Sequence, residues 1–393
     1  GTLTSFEDTQ RFEHVFKMTR KTFSYICSLV MKPSMKDMNS YTFVDGRVLS
    51  LEDRVAVSLK RLYSSEPPET IGSSVGVNES TLLLVTESFV VSVDKRAGHH
   101  SRWPDSSEMD KIKSMFEKIH NMHNCCGVIC TTHIPFGPNW DREKNDSILV
   151  QLVIDPEMRF RSIWWGRISS MNMLSILHES NLFNECEEGG YLNGSKLKVA
   201  LDGSEVGEYI IGDAGFPLLP WLLTPYQEED LSDSKAEFNR RHNAATTCAL
   251  KALARFKDTW KYLQGETSCP VNPDTLVETI HACCYLHNIV IDMEEDGAMP
   301  SIEEPDDSED DAATSSVEEP DESEELRQVA NEDAVVARDM LSQYFLTTMS
   351  SESGVSPVDA EEDHEVVASG SGDEDKEQEL KNNLFLPHLP ASF

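Results

Sequence analysis

Asp213, in the run YIIGDAGFP, stands where an apolar strand runs out into a bend. A carboxylate at a strand end is a hard oxygen ligand of the kind Mg²⁺ requires, yet ahead of Ala214-Gly215 the same aspartate could simply cap the bend. Cys130 holds a comparable strand-end position in CCGVICTTHIP. Cys125, Cys126, Cys130 and His133 give a Cys-x₃-Cys-x₂-His spacing, and His281, Cys283, Cys284 and His287 cluster near the end of the apolar part of the chain. Such sets could hold zinc, but structural zinc favours paired Cys-x₂₋₄-Cys knuckles in loops. These thiols sit inside a strand and a helix, where cysteine behaves as a small hydrophobe, so buried thiols are the preferred reading and no metal is expected.

Two further groups bear on nucleic acid. Arg240, Arg241, Lys251, Arg255, Lys257 and Lys261 stud one long helical stretch. They could face phosphates, but scattered cations more often form a solvated face. The segment ETIGSSVGVNESTLLLVTESFVVSV has the outline of a helix-turn-helix: Ile71 and Val75 pack a short helix, Gly76-Val77-Asn78 turns the corner, and a long helix follows from about Glu79. A DNA-reading helix presents Arg, Lys, Asn or Gln near its start, whereas this one offers Glu79, Ser80, Thr81 and Glu87, with no cation before Lys95. Packing or protein contact is therefore preferred to base reading, because carboxylates repel phosphates.

The elements that must position these residues follow from periodicity. Phe12, Val15, Phe16, Phe23, Ile26, Cys27 and Val30 recur at helical steps and predict a packed helix or helix pair; Ser50 and Asp53 can cap another over 51–62. From Cys125 the pattern changes. CCGVIC, SILVQLVID and MRFRSIWWG predict three successive strands, a helix is expected over 171–183, and EYIIGD predicts a further strand ending at Asp213. AGFPLLPWLLTPY reads as a proline-rich bend with at most a short helix, its Trp221 and the pair Trp164-Trp165 as core or interface aromatics; long helices are expected over 237–263 and 274–293. The expected class is α/β, a mixed sheet flanked by helices behind an all-helical amino-terminal portion.

From Asp292 onward the chain carries 31 acidic and 4 basic residues, a net −27 of the total −35. Within it, 294–393 is expected to be mostly disordered, because it has too little apolar surface to offset its ordering entropy. An amphipathic helix over about 325–345 is the exception. No run of eighteen apolar residues occurs and no charged-then-apolar leader stands at the start, so a soluble protein with no membrane contact is expected. Nine cysteines, an odd number mostly in apolar runs, point to reduced thiols in cytosol or nucleus. The expected division is 1–110, helical; 111–293, sheet-containing; and 294–393, the acidic tail.

In order, FKMTRKTFSYI, VAVSLKRL, IGSSVGVNESTLLLVTESFV, GVICTTHIP, YIIGDAGFPLLPWLLTPY, FNRRHNAATTCALKALARFKDTW and CCYLHNIVIDM resemble the successive blocks of PIF/Harbinger-type transposases and their domesticated plant descendants, from about Phe12 to Met293. The resemblance implies an RNase H-like sheet on which carboxylates hold two Mg²⁺ ions for phosphodiester cleavage. It also implies where this chain departs. The first aspartate, of Gly-x-x-Asp-x-x-His, falls on Cys130; the second is Asp213; the helical glutamate falls on Leu250; a fourth acid falls on Met173. Thiol, thioether and alkyl groups cannot replace carboxylates on Mg²⁺. Glu237 and Asp258 stand too far along the helix from Leu250 to substitute for it.

The expected function is accordingly that of a domesticated, catalytically inactive transposase acting as a protein-interaction subunit in the nucleus, without a cofactor. The resemblance implies a Myb/SANT-like companion protein and a Polycomb or other histone-modifying complex, with direct DNA binding weak or absent. The acidic tail could meet histones, or merely solubilise the chain. The competing expectations are an active divalent-metal endonuclease and a sequence-specific DNA-binding protein.

Overall fold

The computed structural model describes residues 3–5, 7–31, 41–136, 147–167, 172–264, 273–294 and 331–352. Cys269, the start of the helix expected from residue 171, residues 325–330 and the acidic runs on either side of the expected amphipathic helix lie outside the described residues.

The first aromatic-rich stretch folds as a helix pair, α1 (Thr9–Phe16) and α2 (Arg20–Val30), separated where Lys17 turns left-handed at φ 53° and Thr19 caps the second helix. Phe12, Phe16 and Phe23 meet with centroids 4.8 to 5.5 Å apart. In α3 (Leu51–Leu62) the expected pair forms a full capping box: Ser50 Oγ accepts from Asp53 N and Asp53 accepts from Ser50 N, which satisfies two donors the first turn would leave open. Next come α4 (Pro68–Val75) and α5 (Glu79–Arg96). Gly76 at φ 76° ends α4, and Asn78 caps α5 by accepting from Thr81 N. A Cβ on Gly72 would stand 2.8 Å from Val77 O, so this corner needs a glycine to close. α6 (Ser106–His120) leads into the sheet.

The sheet has five strands in the order β3-β2-β1-β6-β7: β1 (Cys125–Pro135), β2 (Ser147–Ile154), β3 (Phe160–Arg167), β6 (Tyr209–Ile211) and β7 (Leu222–Leu223). β1, β2 and β3 form an antiparallel meander, while β6 and β7 add to β1 in parallel. A separate two-stranded pair, β4 (Leu197–Lys198) with β5 (Glu205–Val206), lies between. Every residue of β2 is buried, as expected of a strand covered on both faces. One face bears Val128, Val150, Leu152 and Ile154 against the helices; the other bears Ile129, Val153 and Ile210 with Leu177, Leu182 and Trp221. At about 1.5–3 kcal/mol for each buried aliphatic side chain, these two layers hold the sheet in place.

Two expectations are corrected. The helix expected over 171–183 is two helices, α7 (Met173–His178) and α8 (Asn181–Glu187), because Ser180 leaves helical geometry to cap the second. The proline-rich bend carries no helix but a strand, β7, its Leu222 and Leu223 fully buried beside Ile210 and Ile211. α9 (Asp233–Thr259) begins four residues earlier than expected, behind Ser232, and ends where Trp260 turns into the core. α10 (Pro273–Glu294) matches its expectation, and α11 (Glu332–Glu352) begins later than expected and runs on beyond 345. Gly1–Glu352 form one compact unit.

Candidate functional site

β1 and β6 run side by side in parallel, with Val128 paired to Ile211. Two residues on from that pair stand Cys130 and Asp213, so pairing brings them near each other. Asp213 lies just past the end of β6, but Cys130 is not at a strand end as expected, because β1 continues to Pro135 by pairing with β2, Cys130 opposite Leu152. α9 crosses the same end of the sheet with Phe238, His242, Ala245, Cys248, Ala249, Ala252 and Phe256 turned inward. His242 ties helix to strand, its Nε2–H donating to Gly212 O at 2.9 Å. Burial holds this imidazole below its ordinary range, against that hydrogen bond.

Asp213 is exposed, and its Oδ1 accepts from Gly215 N at 2.8 Å, an Asx turn that closes the bend. Met173, the first residue of α7, reaches the same turn. A Cβ on Gly215 would lie 2.9 Å from Met173 Cε and 3.1 Å from Asp213 Oδ1. Cys130 is half-buried and packs with the helix-facing core. Burial pushes its thiol well above the ordinary range, neighbouring Cys248 and Asp213 push it the same way, and Lys257 opposes them. A thiol so placed stays protonated and neutral, which makes it a poor ligand and a poor nucleophile.

Met173 thus meets the turn that Asp213 closes, and Cys130 lies near enough to Asp213 to feel its charge. Leu250 lies on α9 but off its buried stripe, 62% exposed. One carboxylate, a neutral thiol, a thioether and an isobutyl group do not fit a pair of Mg²⁺ ions, which demand several oxygen ligands in near-octahedral array. Among the described residues no three His, Cys, Asp or Glu side chains are placed to hold a metal ion. Cys125 and Cys126 are buried in β1, Cys283 and Cys284 in α10, and all are free thiols.

The displaced carboxylates have other work. Glu237 is bonded by Arg240 and Arg241 at 2.7 Å; Arg240 first, then Arg241, draws its pKa down while burial opposes them. Asp258 is exposed, 3.9 Å from Lys261. The cations of α9 do not form one face. Arg241 is 2% exposed, donating to Asn121 O and Phe345 O as well as to Glu237, so it is a core group and not a phosphate contact. Arg255 is paired with Glu294 at 2.7 Å.

Sequence reasoning missed His242 as a partner of Gly212 and Cys248 and Lys257 as neighbours of Cys130. The signal for the first two was the apolar stripe 238-242-245-249-252-256, which places His242 inward and Cys248 beside Ala249.

The family model described as DDE superfamily endonuclease matches residues 137–288. Two Arabidopsis thaliana proteins are similar over 73% of this chain: one named ALP1-like, 46% identical across 72% of its own length, and one named antagonist of like heterochromatin protein 1, 38% identical across 74%. Human HARBI1, whose name marks it as a candidate nuclease, is 22% identical over 63% of the chain and 69% of its own length. No solved structure matches. The mixed sheet with its flanking helices agrees with that kinship, and the chain belongs to the Harbinger-type, transposase-derived family of DDE superfamily endonuclease proteins.

Proposed function

We propose that this chain is a domesticated transposase without nuclease activity, serving as a protein-interaction subunit of a nuclear chromatin-regulating complex. The observation that carries the reading is the company Asp213 keeps: the neutral thiol of Cys130 and the thioether of Met173 stand beside it, and Leu250 occupies the helix. Losing hard ligands removes both the activated water and the stabilisation of the leaving oxygen. Asp213 then serves as a turn cap. Within this reading, residues 1–110 form a helix-turn-helix-like helical domain, 111–293 a degenerate nuclease domain, and 294–393 an acidic tail.

The similarity to a protein named antagonist of like heterochromatin protein 1 supports a role opposing gene silencing. The complex would be of the Polycomb or another histone-modifying type, joined with a Myb/SANT-like companion, and the acidic tail would be free to meet histones. Incubation of the purified chain with supercoiled DNA and Mg²⁺ or Mn²⁺ tests the first half. No nicking is expected, and nicking that Asp213→Ala abolishes would overturn the reading. Affinity purification from nuclei followed by mass spectrometry tests the second, since recovery without any chromatin-regulatory subunit would exclude it.

A further inference from the structure

The outward side of α5 carries two adjacent exposed leucines. Leu82, Val85, Phe89, Val90 and Val93 turn inward, leaving Ser80, Leu83, Leu84, Glu87 and half-buried Val91 along the opposite stripe at i, i+3, i+4, i+7 and i+11. Leu83 is 41% and Leu84 51% exposed. Val44, 74% exposed, lies beside the α4–α5 turn, its backbone N–H bonded to Gly76 O at 2.9 Å. A lone exposed leucine is ordinary, but adjacent leucines on one helix stripe are of the kind that interaction sites use.

Charge narrows what could cover it. From Ser64 to Asp94 the chain has Glu66, Glu69, Glu79, Glu87 and Asp94 and not one Lys, Arg or His. The cation of the neighbouring loop, Arg47, is bonded to Asp45 at 2.8 Å and lies over the Phe43 ring. Phosphate backbones are repelled by such a rim. The chain's own tail is acidic and is repelled likewise, and a second copy seated face to face would set these glutamates against themselves. We propose that the outward face of α5 docks a basic amphipathic helix from a partner protein. The leucines take its apolar anchors and the glutamates meet its Lys or Arg rim. This rests on the reading of the chain as an interaction subunit and names the surface it uses.

The test is fluorescence anisotropy on the full chain with a labelled synthetic helix of about 18 residues, Leu on one face and Lys along its edges, against the same peptide with Glu for Lys. The lysine peptide is expected to bind at least about tenfold tighter, and more weakly as salt rises. Leu83→Ser with Leu84→Ser should weaken it about tenfold, and Glu79→Lys with Glu87→Lys should reverse the preference between peptides. All four positions are exposed, so an unchanged thermal melt certifies the fold of each variant. Equal binding of both peptides, no loss in the leucine variant, or duplex DNA binding that the leucine variant abolishes would overturn the proposal. The two readings fail separately: nicking of DNA sinks the pseudoenzyme and leaves this assay standing, whereas failed peptide binding by a chain that does not nick sinks the docking face alone.

Discussion

His287 is stacked on Phe160 at 4.2 Å, edges onto Phe256 at 5.9 Å and donates from Nε2 to Met158 O at 2.8 Å. Burial pushes its pKa down from 6.5 to about 4. Between those values the unfolded chain binds a proton that the folded chain refuses. Its contribution is thus fully present above pH 6.5 and is lost as pH falls toward 4, on the order of 3 kcal/mol in all. Urea denaturation across that window should show stability falling, with a clearly shallower slope in His287→Gln; an unchanged slope would refute the assignment. At this scale the sequence was informative about types and silent about company. Asp213 stood out because a strand end and a GDAGFP bend coincide there. That Cys248 and Lys257 flank Cys130 depends on how α9 lies over β1, which no local pattern records. Arg241 read as a surface cation because the buried partners that hold it, Asn121 O and Phe345 O, come from distant elements.

Among the elements, α10 is fastened to β3 by Asn288 as well as by His287. Asn288, fully buried, accepts from Phe160 N at 2.9 Å and donates to Phe160 O at 2.9 Å and to His100 O at 2.8 Å. Asn288→Ala would orphan the Phe160 amide and the His100 carbonyl, Phe160 O keeping its bond from Ser101 Oγ at 2.8 Å, and it is expected to cost about 3 kcal/mol, read as a lower urea midpoint at unchanged m-value. A loss below about 1 kcal/mol would mean that water replaces the amide at little cost. The long elements were legible because each repeats its period many times: β2, β3, the capping box of α3 and the body of α9 fall where periodicity and caps put them, while β1 runs five residues beyond Cys130 because β2 pairs with it as far as Pro135. β7 has two residues, too few to display a period, and becomes a strand only because β6 offers it a partner. Ser180 was readable as a cap, but apolar spacing on either side disguised the break between α7 and α8.

In the whole molecule the last described helix closes the assembly. α11 lies against α9, where Phe345 stacks on Phe238 at 6.1 Å and its carbonyl accepts from Arg241. Tyr226 donates to Asp339 at 2.7 Å, and Arg338 reaches Thr224 O at 2.9 Å. Phe345→Ala should lower stability by about 3–5 kcal/mol in thermal or chemical denaturation. A much smaller effect would show that this seat contributes little to the fold. The amphipathic pattern announced this helix, but not the surface it covers, since its seat is built jointly by α9 and the 224–226 segment. Because Glu294 is paired with Arg255 and the chain is seated again from Glu332, the stretch between them is anchored at both ends. A single proteolytic cut there would divide the backbone without separating the halves. The nicked protein should elute from gel filtration as one species, fall into two bands only under denaturing electrophoresis, and melt at a temperature that depends on dilution, as a heterodimer does.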